Sequence, residues 1–130
     1  MIIIDSSIFC AYFNSNDIFH VKSTKLVNEL MQGKHGPPII TDYIFDEVIS
    51  IIQRKCSKQK ALETGEYLLN SSIILVNIED FRKAWIVFKK TELFSFTDCT
   101  IISTLESLNI KKLATYDKAF NNVNNIDVIN

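Results

Sequence analysis

The sequence predicts an α/β domain built on a mainly parallel sheet, and three observations carry that expectation. Its 130 residues are the length of a single domain, 1–130, with enough chain to bury a core without a disulfide or zinc staple. Its composition is 47% hydrophobic and 22% charged with three glycines and two prolines, which excludes a disordered, collagen-like or low-complexity chain. Short apolar runs alternate with segments of helical periodicity. Strands spaced by helices need crossover connections, which makes the strands parallel and puts helices on both faces of the sheet.

The elements follow in order. Ile2–Ile4 is a continuous apolar run, the mark of a strand buried on both faces. Asp5-Ser6-Ser7 supplies capping side chains for a helix near Ile8–Phe13. A second helix is predicted over His20–Lys34, with Val27, Leu30 and Met31 on one face, and Gly-Pro-Pro stops it. Pro38–Thr41 is the second strand, followed by helices over Asp42–Cys56 and Lys58–Leu69 and a third strand at Ile73–Asn77. The fifth helix, Glu79–Lys90, carries Phe81, Ala84, Trp85 and Phe88 at i, i+3, i+4, i+7, a spacing that assigns these aromatics to the core. Asp98–Leu108 is the sixth helix. Strand Leu113–Thr115, a short helical turn and strand Ile126–Ile129 complete the chain.

Fourteen basic and fifteen acidic side chains give a net charge of −1, which excludes an overall basic clamp on nucleic acid. Cys10, Cys56 and Cys99 are odd in number and widely spaced, so reduced thiols in a cytoplasmic protein are expected. The opening Met-Ile-Ile-Ile-Asp lacks the basic region of a signal peptide, and no apolar stretch reaches membrane-spanning length. No membrane association is expected.

In an open parallel sheet, chemistry sits beyond the carboxyl ends of the strands, where the strand order reverses. Four acids are predicted at that edge. Asp5 follows the first strand and Asp117 the fourth. Glu47 borders the stripe of Ile44, Val48, Ile51 and Ile52, whereas Asp46 points away from it; Asp98 heads the stripe of Ile101, Ile102 and Leu105. Each alone has a plain structural explanation: a helix cap for Asp5, a Ser95-x-x-Asp98 capping box, a solvated Glu47, a turn at Asp117. Four at one edge are poorly explained as independent caps. Two carboxylates about 4 Å apart repel by about 4 kcal/mol at an effective dielectric of 20, so converging acids titrate upward or hold a divalent cation. With no histidine or thiolate in the set, the donors suit Mg²⁺ or Mn²⁺ rather than zinc. Such an ion, binding a phosphate and activating a water, is suited to phosphodiester cleavage.

These residues, read in sequence, resemble a known family. Ile-Ile-Asp5-Ser-Ser7, Glu47 within Thr-Asp-Tyr-Ile-Phe-Asp-Glu-Val, Ser-Phe-Thr-Asp98-Cys and Thr115-Tyr-Asp117-Lys-Ala-Phe120 together resemble the PIN-domain ribonucleases, with the VapC-like toxin branch nearest. The resemblance spans Ile2 to Ile129. It implies a three-layer PIN-like fold with a five-stranded sheet in order 3-2-1-4-5, a homodimer, and Mg²⁺- or Mn²⁺-dependent cleavage of RNA by a metal-activated water. By position it makes Asp5, Glu47, Asp98 and Asp117 the catalytic and metal-binding acids, Ser7 the support of the first aspartate, and Thr115 the small polar residue before the last. It also implies a small antitoxin protein as partner. Asp42 and Asp46 add acid near Glu47, but the stripe favours Glu47. A housekeeping RNA-processing nuclease and a catalytically degenerate binding scaffold are the alternatives. A haloacid dehalogenase-type phosphatase would want an aspartate where Ser7 stands, and a receiver domain one after the third strand, which ends Val-Asn77.

Other residues invite weaker readings. His20 and His35 have no metal-ligand spacing and are expected at the surface or as caps. Cys99 lies about 100° around its helix from Asp98 and is expected as a small buried residue. Trp85 and Phe88 would be a base-stacking surface only if exposed. Arg54, Lys55, Lys58 and Lys60 cluster at one helix junction, and Lys111, Lys112 and Lys118 flank the fourth strand. Lys118, next to Asp117, is placed to meet substrate phosphate. If cations neutralise the four acids, 14 basic side chains face the remaining 11 acidic ones (15 less 4).

Overall fold

The computed structural model describes residues 1–130. Strands β1 (Ile2–Ile4), β2 (Pro38–Thr41), β3 (Ile74–Val76), β4 (Lys112–Ala114) and β5 (Asp127–Ile129) form one sheet in the order β3-β2-β1-β4-β5. Every neighbouring pair is parallel, with Ile3 opposite both Ile39 and Leu113. The three isoleucines of β1 are fully buried and anchor a core cluster of 22 residues. Such runs suit a central strand covered on both faces. The order reverses between β1 and β4, so a crevice opens beyond their carboxyl ends.

Six helices pack around the sheet: α1 (Ser6–Phe13), α2 (His20–Met31), α3 (Asp42–Lys55), α4 (Lys58–Asn70), α5 (Arg82–Lys89) and α6 (Phe96–Ser107), with a 3₁₀ turn at Lys118–Asn122. Helix α1 packs on α2 and α3, α3 on α4, and α5 on α6. At the carboxyl edge the chain passes from strand to helix through a capping side chain. Asp5 accepts from the Ser7 N–H, Thr41 from the Ile44 N–H, and Asp117 from the Ala119 N–H. None of the helices is long and apolar enough to cross a membrane.

Three expectations need correction. Helix α2 ends at Met31 rather than Lys34, because Gly33 takes a φ of 74°, outside the helical region. Helix α6 starts at Phe96, two residues early, because Ser95 and Asp98 form a reciprocal capping box. The largest departure is α5. It begins at Arg82, buries only Ala84 fully, and leaves Phe81 and Trp85 exposed and Phe88 half-buried, so these aromatics are not core residues. An amphipathic period shows that a helix has an apolar face, not that a layer covers it.

Candidate active site

Asp5 is the centre of the edge. It leaves the middle strand, is 4% exposed, and is gripped by two hydroxyls with a third alongside. Ser7 Oγ donates to its Oδ2 at 2.6 Å, Thr115 Oγ1 donates to the same oxygen at 2.8 Å, and Ser6 Oγ lies 3.4 Å from Oδ1. Two of these hydroxyls are themselves oriented by backbone donors from the β4 exit. The Tyr116 N–H donates to Ser7 Oγ at 3.1 Å and the Asp117 N–H to Thr115 Oγ1 at 3.0 Å. The backbone thus fixes which way each hydroxyl points. Asp5 is held across the crevice in a set orientation.

Glu47 comes from the second turn of α3, on the border of its buried face. Its Oε2 accepts from Ser6 Oγ at 2.6 Å. Burial raises its pKa, the Ser6 hydrogen bond works against that, and the charges of Asp5, Asp98 and Asp46 raise it further. The neighbouring acids have other positions: Asp46 is exposed, and Asp42 accepts from the Ile78 N–H at 3.1 Å. Glu47, not Asp42 or Asp46, is the helical acid of the edge.

Asp98 occupies the third position of α6, half-buried, and its two readings coexist. Its Oδ2 accepts the Ser95 N–H at 2.9 Å while the Asp98 N–H donates to Ser95 Oγ at 3.1 Å. That cap occupies one oxygen and leaves Oδ1 available. Burial pushes its pKa up, the Ser95 hydrogen bonds pull it down, and the charges of Asp5 and Asp117 push it up again. Asp117 is exposed and caps the 3₁₀ turn through Ala119 at 2.9 Å, with the fully buried Phe120 pinning that turn to the core. Lys118 beside it is exposed and free of ion pairs.

The four predicted acids therefore share one edge and feel one another electrostatically. None of them has a salt-bridge partner. As the side chains stand, no three acidic, histidine or cysteine groups converge into a ready-made cage, and the edge is an open row of oxygens. An uncompensated row of carboxylates and hydroxyls fits a hard divalent cation that keeps several of its waters. Cys10, one turn into α1, is pushed up to about 12 by burial and then by Asp5 and Glu47, so it is a protonated neighbour and not a nucleophile. Cys99 is buried, as expected. His20 sits 2.9 Å from the Ala11 carbonyl oxygen and His35 beside Glu29, both away from the acids. Ser6 is the site residue that sequence reasoning passed over. It read as part of a capping tripeptide, and its partner lies 41 positions away.

The PIN domain family model matches residues 2–126. The chain belongs to the PIN-domain family. Its likeness is to the VapC branch: it is 32% identical over 122 residues to a VapC ribonuclease of Archaeoglobus fulgidus, covering 91% of this chain and 78% of that one. Among solved structures it is similar to VapC20 of Mycobacterium tuberculosis, described as a toxin cleaving the sarcin–ricin loop, with a TM-score of 0.84, 18% identity and 93% of each chain covered. It also resembles a chain of the VapBC2 complex of Rickettsia felis bound to a promoter DNA fragment, with a TM-score of 0.69, 14% identity and coverage of 99% and 98%. These two likenesses establish the PIN fold and its strand order in this chain.

Proposed function

We propose that this PIN domain is a metal-dependent endoribonuclease and the toxin of a toxin–antitoxin pair, with Asp5, Glu47, Asp98 and Asp117 as its working acids. The observation that carries the reading is the row of four mutually repelling carboxylates at the strand-order switch, unpaired with any protein cation. Mg²⁺ or Mn²⁺ would be held by Asp5, Glu47 and Asp98, with Asp117 completing the set. There it would neutralise phosphate charge and make a nucleophilic water available at neutral pH. The chain's own residues do the rest. Ser7 and Thr115 lock Asp5 in orientation, and Ser6 holds Glu47. Glu47 or Asp98 would assist in removing a proton from the attacking water. Lys118 meets a flanking phosphate and adds affinity without sequence selection.

The accompanying partners are a small antitoxin protein that covers the acidic edge and a second copy of the chain, in the cytoplasm where the RNA is. Sedimentation of the purified protein tests the dimer. The reaction is tested by incubating RNA with the protein in Mg²⁺ or Mn²⁺, in chelator, and with Asp98→Asn. Cleavage is expected only for the unmodified protein with metal; equal cleavage by the variant would overturn the assignment.

A further inference from the structure

We propose that Tyr116 is a positioning residue for the acidic edge, braced from outside the site by Phe19 and Ser23 at the amino end of α2, a step that rests on the ribonuclease reading above. Tyr116 stands between the two residues through which the β4 exit serves the edge, Thr115 on Asp5 and Asp117 itself. Its N–H donates to Ser7 Oγ at 3.1 Å, and that hydroxyl donates in turn to Asp5 Oδ2. Its side chain takes another direction and leaves the edge for α2. There Phe19, Lys22 and Ser23 receive it, spaced i, i+3, i+4 and so on one face. The Phe19 ring stacks on the phenol with centroids 4.5 Å apart and planes at 18°. Lys22 Nζ lies 5.4 Å from the phenol centroid, and the Tyr116 hydroxyl is 2.8 Å from Ser23 Oγ.

Ser23 distinguishes this contact from ordinary packing. It is fully buried in the first turn of α2, and its hydroxyl meets the phenol. An apolar pair would fill the same space without burying two hydroxyls, but it would not fix where the ring stops, because only the hydrogen bond is directional. The brace is itself anchored. The Phe19 N–H donates to Asp17 Oδ1 at 2.8 Å, and His20 Nδ1 lies 2.9 Å from the Ala11 carbonyl oxygen, which ties this turn to α1. Helix α1 begins with Ser6 and Ser7, so the contacts close a circuit: Ser7 to the Tyr116 N–H, the phenol to α2, α2 to α1, and along α1 back to Ser7. A shift of Tyr116 displaces the donor that orients Ser7 and, one residue on, the carboxyl group of Asp117. Tyr116 thus acts through other groups, as the partners behind metal-binding side chains do.

Tyr116→Phe removes one hydroxyl and keeps the ring, and Ser23→Ala removes its partner. Leu68→Val is the comparison, a core truncation on α4 just ahead of β3 and so toward the amino end of the sheet. Amide exchange is read by NMR in chelator, where neither metal nor turnover enters. In Tyr116→Phe and Ser23→Ala the Tyr116 and Asp117 amides are expected to exchange about ten-fold faster relative to those of β1, whereas Leu68→Val moves them all alike. In cleavage assays kcat falls about ten-fold and the half-activating Mn²⁺ concentration rises, while KM for RNA holds and Leu68→Val cuts normally. The double variant is no slower than either single one, because both remove the same bond. Unchanged exchange at Tyr116 and Asp117, full kcat in Tyr116→Phe, losses that add in the double variant, or a KM rise at constant kcat each overturns the positioning role while leaving the nuclease intact. If the unmodified protein cuts no RNA under any metal condition, the ribonuclease reading falls and the positioning role with it.

Discussion

The Ser6 hydroxyl donates to Glu47 Oε2 at 2.6 Å, joining the first residue of α1 to the border of α3. It is the hydrogen bond that restrains the upward pull of burial on Glu47. Ser6→Ala removes that restraint. The acidic limb of the pH–rate profile is expected to move to higher pH, and urea melts to show a loss of about 1 kcal/mol. An unmoved limb would separate Ser6 from the chemistry.

Thr115→Val keeps the shape of the side chain but leaves Asp5 Oδ2 with only its Ser7 donors and strands the Asp117 N–H. Leaving buried polar groups unmet costs about 1–3 kcal/mol, and the mis-set Asp5 is expected to lower cleavage by at least about ten-fold, since small displacements of a positioned group are expensive. Thr115→Ser restores both hydrogen bonds and most of the activity. Denaturant melts and turnover on the same preparations check this.

Stability and pH are linked through Glu47 and Asp98, whose folded pKa values both lie above their ordinary ones. The folded state then binds more protons than the unfolded chain, so this contribution is complete below the ordinary carboxylate range and is lost as pH rises through the raised values. Metal-free protein is accordingly expected to melt higher at mildly acidic pH than at neutral pH. Added Mn²⁺ reverses the trend above that window, by about 2.7 kcal/mol at a hundred times its dissociation constant. Thermal melts across pH, with chelator and with Mn²⁺, read the crossing directly.

The double duty of Asp98 can be taken apart. Ser95→Ala removes the hydroxyl half of the capping box and is expected to cost about 1 kcal/mol of stability with a small effect on cleavage. Asp98→Asn does the reverse: the amide oxygen still caps, a repelling charge disappears, and activity falls by orders of magnitude while metal-free stability holds or rises. A Ser95→Ala protein as inactive as Asp98→Asn would mean the cap, not the carboxylate, matters.

Much of this was legible because the signals were local. Ile2–Ile4 could only be an interior strand, and Glu47 was separable from Asp46 by its angle to Ile44 and Val48. The four acids could be placed because Asp5 and Asp117 follow strands, Asp98 opens a helix and Glu47 borders the buried stripe of another at the same edge. Long-range facts were not legible. The Ser6–Glu47 bond spans 41 positions, and no local pattern encodes it. The exposure of Trp85 depends on what lies over α5, and its spacing is identical whether it faces a core or water. Ring contacts through Phe96, on another helix, were equally invisible to periodicity.

Thr115 grips Asp5 across a sequence separation of 110 residues, and β4 must pair with β1 for it to do so. During synthesis Asp5 therefore precedes by 110 residues one of the two hydroxyls that orient it, and its setting is complete only after Thr115 has been made and β4 has paired with β1. Pairings this distant in sequence are also among the slowest to form. The acidic edge is thereby assembled late: its central carboxyl group is fully set by a strand made long after it, so an unfinished or partly folded chain carries the acid without its final orientation.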